Sequence, residues 1–164
     1  MDRSRKMKES VEAYDPLNID YRAILYVCLE GGFENQSAIE MAKKVPFGGA
    51  LGMASAGAAG ALSNEFAIMT VNDDYLCFYI LNKFSMNFYI EDKIVLPYET
   101  ITKLKVKRFL INWSNFKVHF AIDGQNRKIK IVIAHRSFGL KNQRENIKVF
   151  LDHLNFKELL NHRH

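Results

Sequence analysis

Proline and cysteine are scarce in this 164-residue chain, three of the first and two of the second, and tryptophan occurs once. So few prolines, set against 48% hydrophobic residues, exclude a disordered or fibrous chain and leave enough apolar side chains for one core. Two cysteines make no disulfide framework. Cys28 and Cys77 each lie inside an apolar run, where a thiol behaves as a small buried hydrophobe. Met1 to Glu9 is charged and lacks the apolar stretch of a secretory signal, so the expected compartment is the cytoplasm. No zinc spacing, acid pair or phosphate-binding glycine loop is visible. The five histidines, His119, His135, His153, His162 and His164, stand at no spacing to the cysteines or carboxylates that nucleophilic chemistry would require. Catalysis, a cofactor and a small-molecule substrate are therefore not expected. His162-Arg163-His164 also reads as a simple tail.

What the chain does have is an uneven positive charge. The net charge is +5, yet up to Leu62 there are 7 Lys and Arg against 8 Asp and Glu, and beyond it 16 against 10. Between Ile101 and Lys141 ten cations face the single acid Asp123, so an electrostatic partner is to be sought there. The other outlier is the stretch Val45 to Leu62, which carries no charge and five glycines. Its 18 residues would span ~27 Å as a helix, close to a hydrocarbon core, but Gly and Ala contribute little transfer energy and glycine weakens helices. A flexible loop, a close-packed or membrane-touching helix and a membrane span all remain open for it. If exposed, Phe47, Leu51, Met53 and Leu62 make it an apolar contact loop for a partner protein, a second copy of the chain or a membrane.

Most of the remainder reads as strands. Residues 1–18 form a leader or short helix ended by Asp15-Pro16 and are expected to add little to the core. Ile19 to Leu29 is the first strand, stopping at Glu30-Gly31-Gly32; a short helix over Ser37 to Lys44 lies in the long insertion of about 33–64 that follows. Phe66–Val71 and Tyr75–Leu81 flank the turn Asn72-Asp73-Asp74, and Phe84–Ile90 and Lys93–Leu96 flank Glu91-Asp92. In Thr100 to Ile111, Thr102, Leu104 and Val106 alternate with Lys103, Lys105 and Lys107. Phe116, Val118, Phe120 and Ile122 alternate with Lys117, His119 and Ala121, and after the turn at Asp123-Gly124 the isoleucines 129, 131 and 133 alternate with Lys128, Lys130 and Val132. This predicts an antiparallel meander with one wet face. Ile147, Phe150, Leu151 and Leu154 then recur at helical spacing and predict an amphipathic C-terminal helix. About seven strands and one helix imply a bent barrel or sandwich with the helix plugging its open end.

That order, with Met69-Thr70-Val71-Asn72-Asp73-Asp74-Tyr75-Leu76 opening a hairpin and Leu96-Pro97-Tyr98-Glu99-Thr100-Ile101 leading into a basic strand, resembles the bacterial pleckstrin-homology-like domains. The likeness runs from about Ile19 to Leu154 within a domain of 19–161. It implies a strongly bent seven-stranded sheet capped by one helix, serving as a non-catalytic scaffold for lipid headgroups, peptides or proteins. Lipid-binding eukaryotic members carry Lys and Arg after the first strand and on the second. Here that region offers only Lys43 and Lys44, and Phe66–Val71 has no basic residue.

The solvent parity of the last three strands therefore supplies the candidate binding surface: Lys103, Lys105, Lys107, Lys117, His119, Lys128 and Lys130. Its partners would be an anionic membrane at the inner face of the cell or a partner protein. The plain alternative is a solubilising face whose lysines discourage edge pairing. Nucleic acid is a second reading, weakened because stacking rings are few among those cations. Trp113, in Asn112-Trp113-Ser114-Asn115, is either an exposed contact or a lid on the core end.

Overall fold

The computed structural model describes residues 2–30, 64–84, 87–110, 112–137 and 139–161. Among them the order is α1 (Arg3–Tyr14), β1 (Ala23–Leu29), β2 (Glu65–Val71), β3 (Tyr75–Leu81), β4 (Ile90–Pro97), a 3-10 turn (Tyr98–Thr100), β5 (Ile101–Leu110), β6 (Trp113–Ile122), β7 (Gln125–Ala134) and α2 (Gln143–Asn161). The strands form one antiparallel sheet in the order β4-β3-β2-β1-β7-β6-β5. The fold is thus mainly β with a C-terminal helix, as the patterning predicts. Among the described residues β4 and β5 are the two edges, so the sheet is not closed into a barrel.

β1 holds the two halves together. It pairs with β2 along its whole length but with β7 only at Cys28↔Val132 and Leu29↔Ile131. From that corner the halves wrap one core, in which Leu25, Met69, Phe78 and Leu96 meet Phe116, Phe120 and Ile131. α2 drops Ile147, Phe150 and Leu154 into the same core. Where β1 parts from β7, its outward backbone groups would lack partners. α2 supplies them: Gln143 accepts from the Tyr26 N–H at 3.2 Å and donates to the Tyr26 carbonyl at 2.6 Å, and Asn146 donates to the Ile24 carbonyl at 2.9 Å. Buried peptide groups left without partners cost about 1–3 kcal/mol each. Gln143→Ala should therefore destabilise the fold by about 2–3 kcal/mol, read as a lower denaturant midpoint with unchanged slope. A loss below about 0.5 kcal/mol would show that water replaces the amide.

The N-terminal segment does more than expected. α1 buries Met7 and Val11, one helical turn apart, against Ile24, Ile68, Cys77, Tyr79 and Val95 in a second core on the other face of β1–β4. Asp2 caps its first turn by accepting from the Arg5 N–H at 3.3 Å. It ends at Asp15, where the following proline disfavours helical backbone. The Asp15 carboxylate is then gripped by the Lys93 ammonium, a mostly buried pair, and by the Tyr79 hydroxyl at 3.0 Å. Tyr79 in turn accepts from Asn18 at 2.6 Å. Burial pushes the Cys77 thiol up to about 12, so it is inert at neutral pH.

The second predicted hairpin is displaced. Glu91 and Asp92 form no turn: β4 runs through them, paired to β3 from Tyr75↔Pro97 to Leu81↔Ile90 with an irregularity between Ile80 and Leu81. The β3–β4 connection lies instead between Asn82 and Tyr89, closed by the Asn82 N–H to the Tyr89 carbonyl at 2.8 Å. Asp92 is 2% exposed, an acid inside a strand that reads as a turn residue by type.

With both faces of β1–β4 covered, the outer face of β5–β7 is left to solvent. There burial alternates along β6 and β7 with period two.

Candidate functional site

Hairpin geometry sets which cations face each other. At the β6–β7 turn Asp123 and Gly124 have φ of 50° and 75°, the two positive values a tight two-residue hairpin needs, and Ile122 faces Gln125 across it. Counting back from that turn places His119 opposite Lys128 and Lys117 opposite Lys130. On the other side of β6, His119 faces Lys103, Lys117 faces Lys105 and Asn115 faces Lys107. Two complete cross-strand rows result, Lys103–His119–Lys128 and Lys105–Lys117–Lys130, with a third begun by Lys107. All seven predicted residues come together on one face.

Neighbouring strands lie about 4.8 Å apart and alternate residues about 6.8 Å, so the cations of these rows fall within one Debye length of their neighbours in about 0.1 M salt. Lys103, Lys105, Lys107 and Lys117 are exposed, while Lys128 and Lys130 are partly covered. Glu30, at the end of β1, approaches Lys130 at 3.8 Å. A cleft of about 600 Å³ opens along the second row, lined by Lys105, Lys107, Lys117, Lys130, Asn115 and Glu30. Sequence reasoning did not find Glu30, because its place beside β7 depends on the two-residue β1–β7 pairing. His119 is held below the usual histidine range, first by desolvation and then by Lys105, Lys128, Lys103 and Lys117.

Trp113 begins the same outward column of β6, ahead of Asn115, Lys117 and His119, and is 44% exposed. It stands outside the main core. On β5 the expected inward face is realised only in part: Leu104 packs on the core, whereas Thr102 is exposed and Val106 is 47% exposed. The register slips between Ile101 and Lys103, and β5 is an edge strand with no neighbour on its far side among the described residues. Phe47, Leu51, Met53 and Leu62 lie outside the described residues, as do the helix expected over Ser37 to Lys44 and the three terminal residues.

The structure also joins one pair the sequence kept apart, Ser114 Oγ of β6 and Nε2 of His135, the residue after β7, at 2.5 Å. Ser114 is 3% exposed, so its hydroxyl is closed to a substrate and the pair ties the two strands. His153 packs edge-on against Tyr98 at 5.2 Å. Tyr98 also links the segments Met69–Leu76 and Leu96–Ile101, its hydroxyl donating to the Asn72 carbonyl at 2.8 Å and its N–H to the Asp74 carbonyl at 3.0 Å. Among the described residues no cluster of three or more metal-ligating side chains forms, and no helix is long and apolar enough to cross a membrane.

No protein-family model matches the chain, and no curated protein does. Among solved structures, the hSac2 domain from the human phosphoinositide phosphatase Sac2 is similar, with a TM-score of 0.52 and 7% identity over 96% of this chain and 81% of that one. At that identity the likeness shows the fold alone.

Proposed function

We propose that this chain is a non-catalytic binding module, of the pleckstrin-homology-like kind, that docks the outer face of β5–β7 on an anionic membrane surface. The observation that carries the reading is the pair of cross-strand rows, Lys103–His119–Lys128 and Lys105–Lys117–Lys130, on the one sheet face that neither helix covers. A lysine close to an anionic bilayer contributes about 1 kcal/mol, so six on one face supply a gross attraction of about 6 kcal/mol. Trp113, half exposed on the same column, is the side chain type that settles at the headgroup level. A stacking surface for single-stranded nucleic acid would want several such rings interleaved among the cations, and the two cross-strand rows hold lysines and one imidazole.

Co-sedimentation with vesicles tests the reading, comparing neutral phosphatidylcholine with phosphatidylcholine containing phosphatidylglycerol. Pelleting with the anionic vesicles in about 0.1 M salt, and its loss near 1 M, is expected from screening of the lysine face. A form lacking Val45 to Leu62 should pellet equally well. Binding that resists 1 M salt and vanishes with that deletion would move the contact to the apolar segment. Absence of pelleting in low salt would overturn the membrane reading and leave an acidic protein as the partner class.

A further inference from the structure

His119 is the one position in the two rows that is not a lysine. By register its neighbours on that face are Lys103 and Lys128 directly across, Lys117 two residues back on β6, and Lys105 and Lys130 on the diagonals. Among the described residues a carboxylate on that side, Glu30, sits beside Lys130, in the row next to that of His119. The imidazole Nε2 is buried and has no hydrogen-bond partner. An orphaned polar atom of that kind is costly and calls for a group that would complete it. A neutral imidazole has one donor and one acceptor nitrogen, and an imidazolium has two donors. Among lysines, themselves donors only, the missing partner for a protonated ring is an acceptor that also carries negative charge.

Resting on the membrane reading and adding its regulation, we propose that the row Lys103–His119–Lys128 is a subsite for the phosphodiester of an anionic lipid headgroup, and that His119 takes up one proton as that group binds. In the free protein partial burial, and then the surrounding lysines, favour the neutral ring. A bound phosphodiester offsets the lysine charges, draws a proton from solvent onto the ring and, as the ring turns to expose Nε2, accepts a hydrogen bond from it. The bound state then holds one more proton than the free state over the interval between the two titration points. Linkage makes binding tighter as pH falls through that interval, by at most a factor of ten per pH unit for one proton. The surface thereby answers to local acidity, which lysines alone cannot do.

The test is affinity for phosphatidylglycerol vesicles between about pH 8 and about pH 5, in wild type and His119→Gln, with the imidazole of His119 followed by NMR as short-chain phosphatidylglycerol is added. The phosphodiester of this lipid keeps its charge across the range, so a pH slope comes from the protein. The expected result is a several-fold gain in wild-type affinity per pH unit near the midpoint, a flat profile in His119→Gln, and a His119 titration that moves upward with lipid. Equal slopes in the two proteins, or a His119 titration that lipid leaves in place, would overturn the subsite while leaving membrane docking intact. No vesicle binding at any pH would overturn both. The NMR measurement needs no variant, so a poorly folding His119→Gln would not shelter the idea.

Discussion

Replacing Lys105 and Lys117 together by glutamate should reduce partitioning onto anionic vesicles about a thousand-fold. The two face each other in the middle of the second row. Each replacement removes an attraction of about 1 kcal/mol and adds a repulsion of similar size, about 4 kcal/mol in all, and 1.4 kcal/mol is tenfold. Both side chains are exposed and sit among other cations, so the fold should keep its melting temperature within a few degrees. The matched control is Lys6→Glu with Lys8→Glu on α1, which alters net charge equally over the β1–β4 half of the sheet, away from the lysine rows. If vesicle binding falls as far in that pair, affinity follows total charge and the β5–β7 face has no special part in it.

The largest stability effect belongs to Phe150→Ala. Phe150 is fully buried and packs edge-on against Phe116 of β6 at 5.4 Å, so it is where α2 meets the second half of the sheet. Removing a buried phenyl ring costs about 3–5 kcal/mol, through lost transfer energy and the cavity left behind. In a chain of this length that corresponds to a drop of about 10 °C or more in melting temperature. Phe84→Ala gives the contrast: Phe84 is 96% exposed, and the change should stay within about 0.5 kcal/mol. Chemical denaturation of the two variants checks both figures. A Phe150→Ala midpoint close to wild type would mean that α2 lies on the sheet without plugging it.

What could be read from the sequence depended on whether an element has a wet face. β6 and β7 alternate because one side meets water, and there the patterning placed every lysine on the correct parity. β2 and β3 are buried on both faces, so their length and turns were legible but their orientation was not. The burial of α1 escaped for the opposite reason, since only Met7 and Val11 anchor this helix among charged neighbours. The extension of β4 through Asp92 was hidden by residue type, because an acid reads as turn chemistry unless the partner strand is known. At the candidate site the lysines could be named in advance. Their rows could not, because a one-residue change in hairpin register would pair them differently. The Asp123-Gly124 turn carried that information, and its two positive φ values are what decide it.

The amide side chains of Gln143 and Asn146 bear on how this protein comes apart. They occupy the place a neighbouring strand would take beside the first part of β1, so α2 acts as a guard over bare backbone as well as a plug. When α2 lifts while the sheet persists, the chain uncovers Ile147, Phe150 and Leu154 together with the Ile24 and Tyr26 peptide groups. That combination, apolar surface beside unpaired strand hydrogen bonds, is the template on which β proteins aggregate. The retention of one helix thus separates a soluble sheet from a sticky one, and the first turn of α2 is where resistance to self-assembly would be gained or lost.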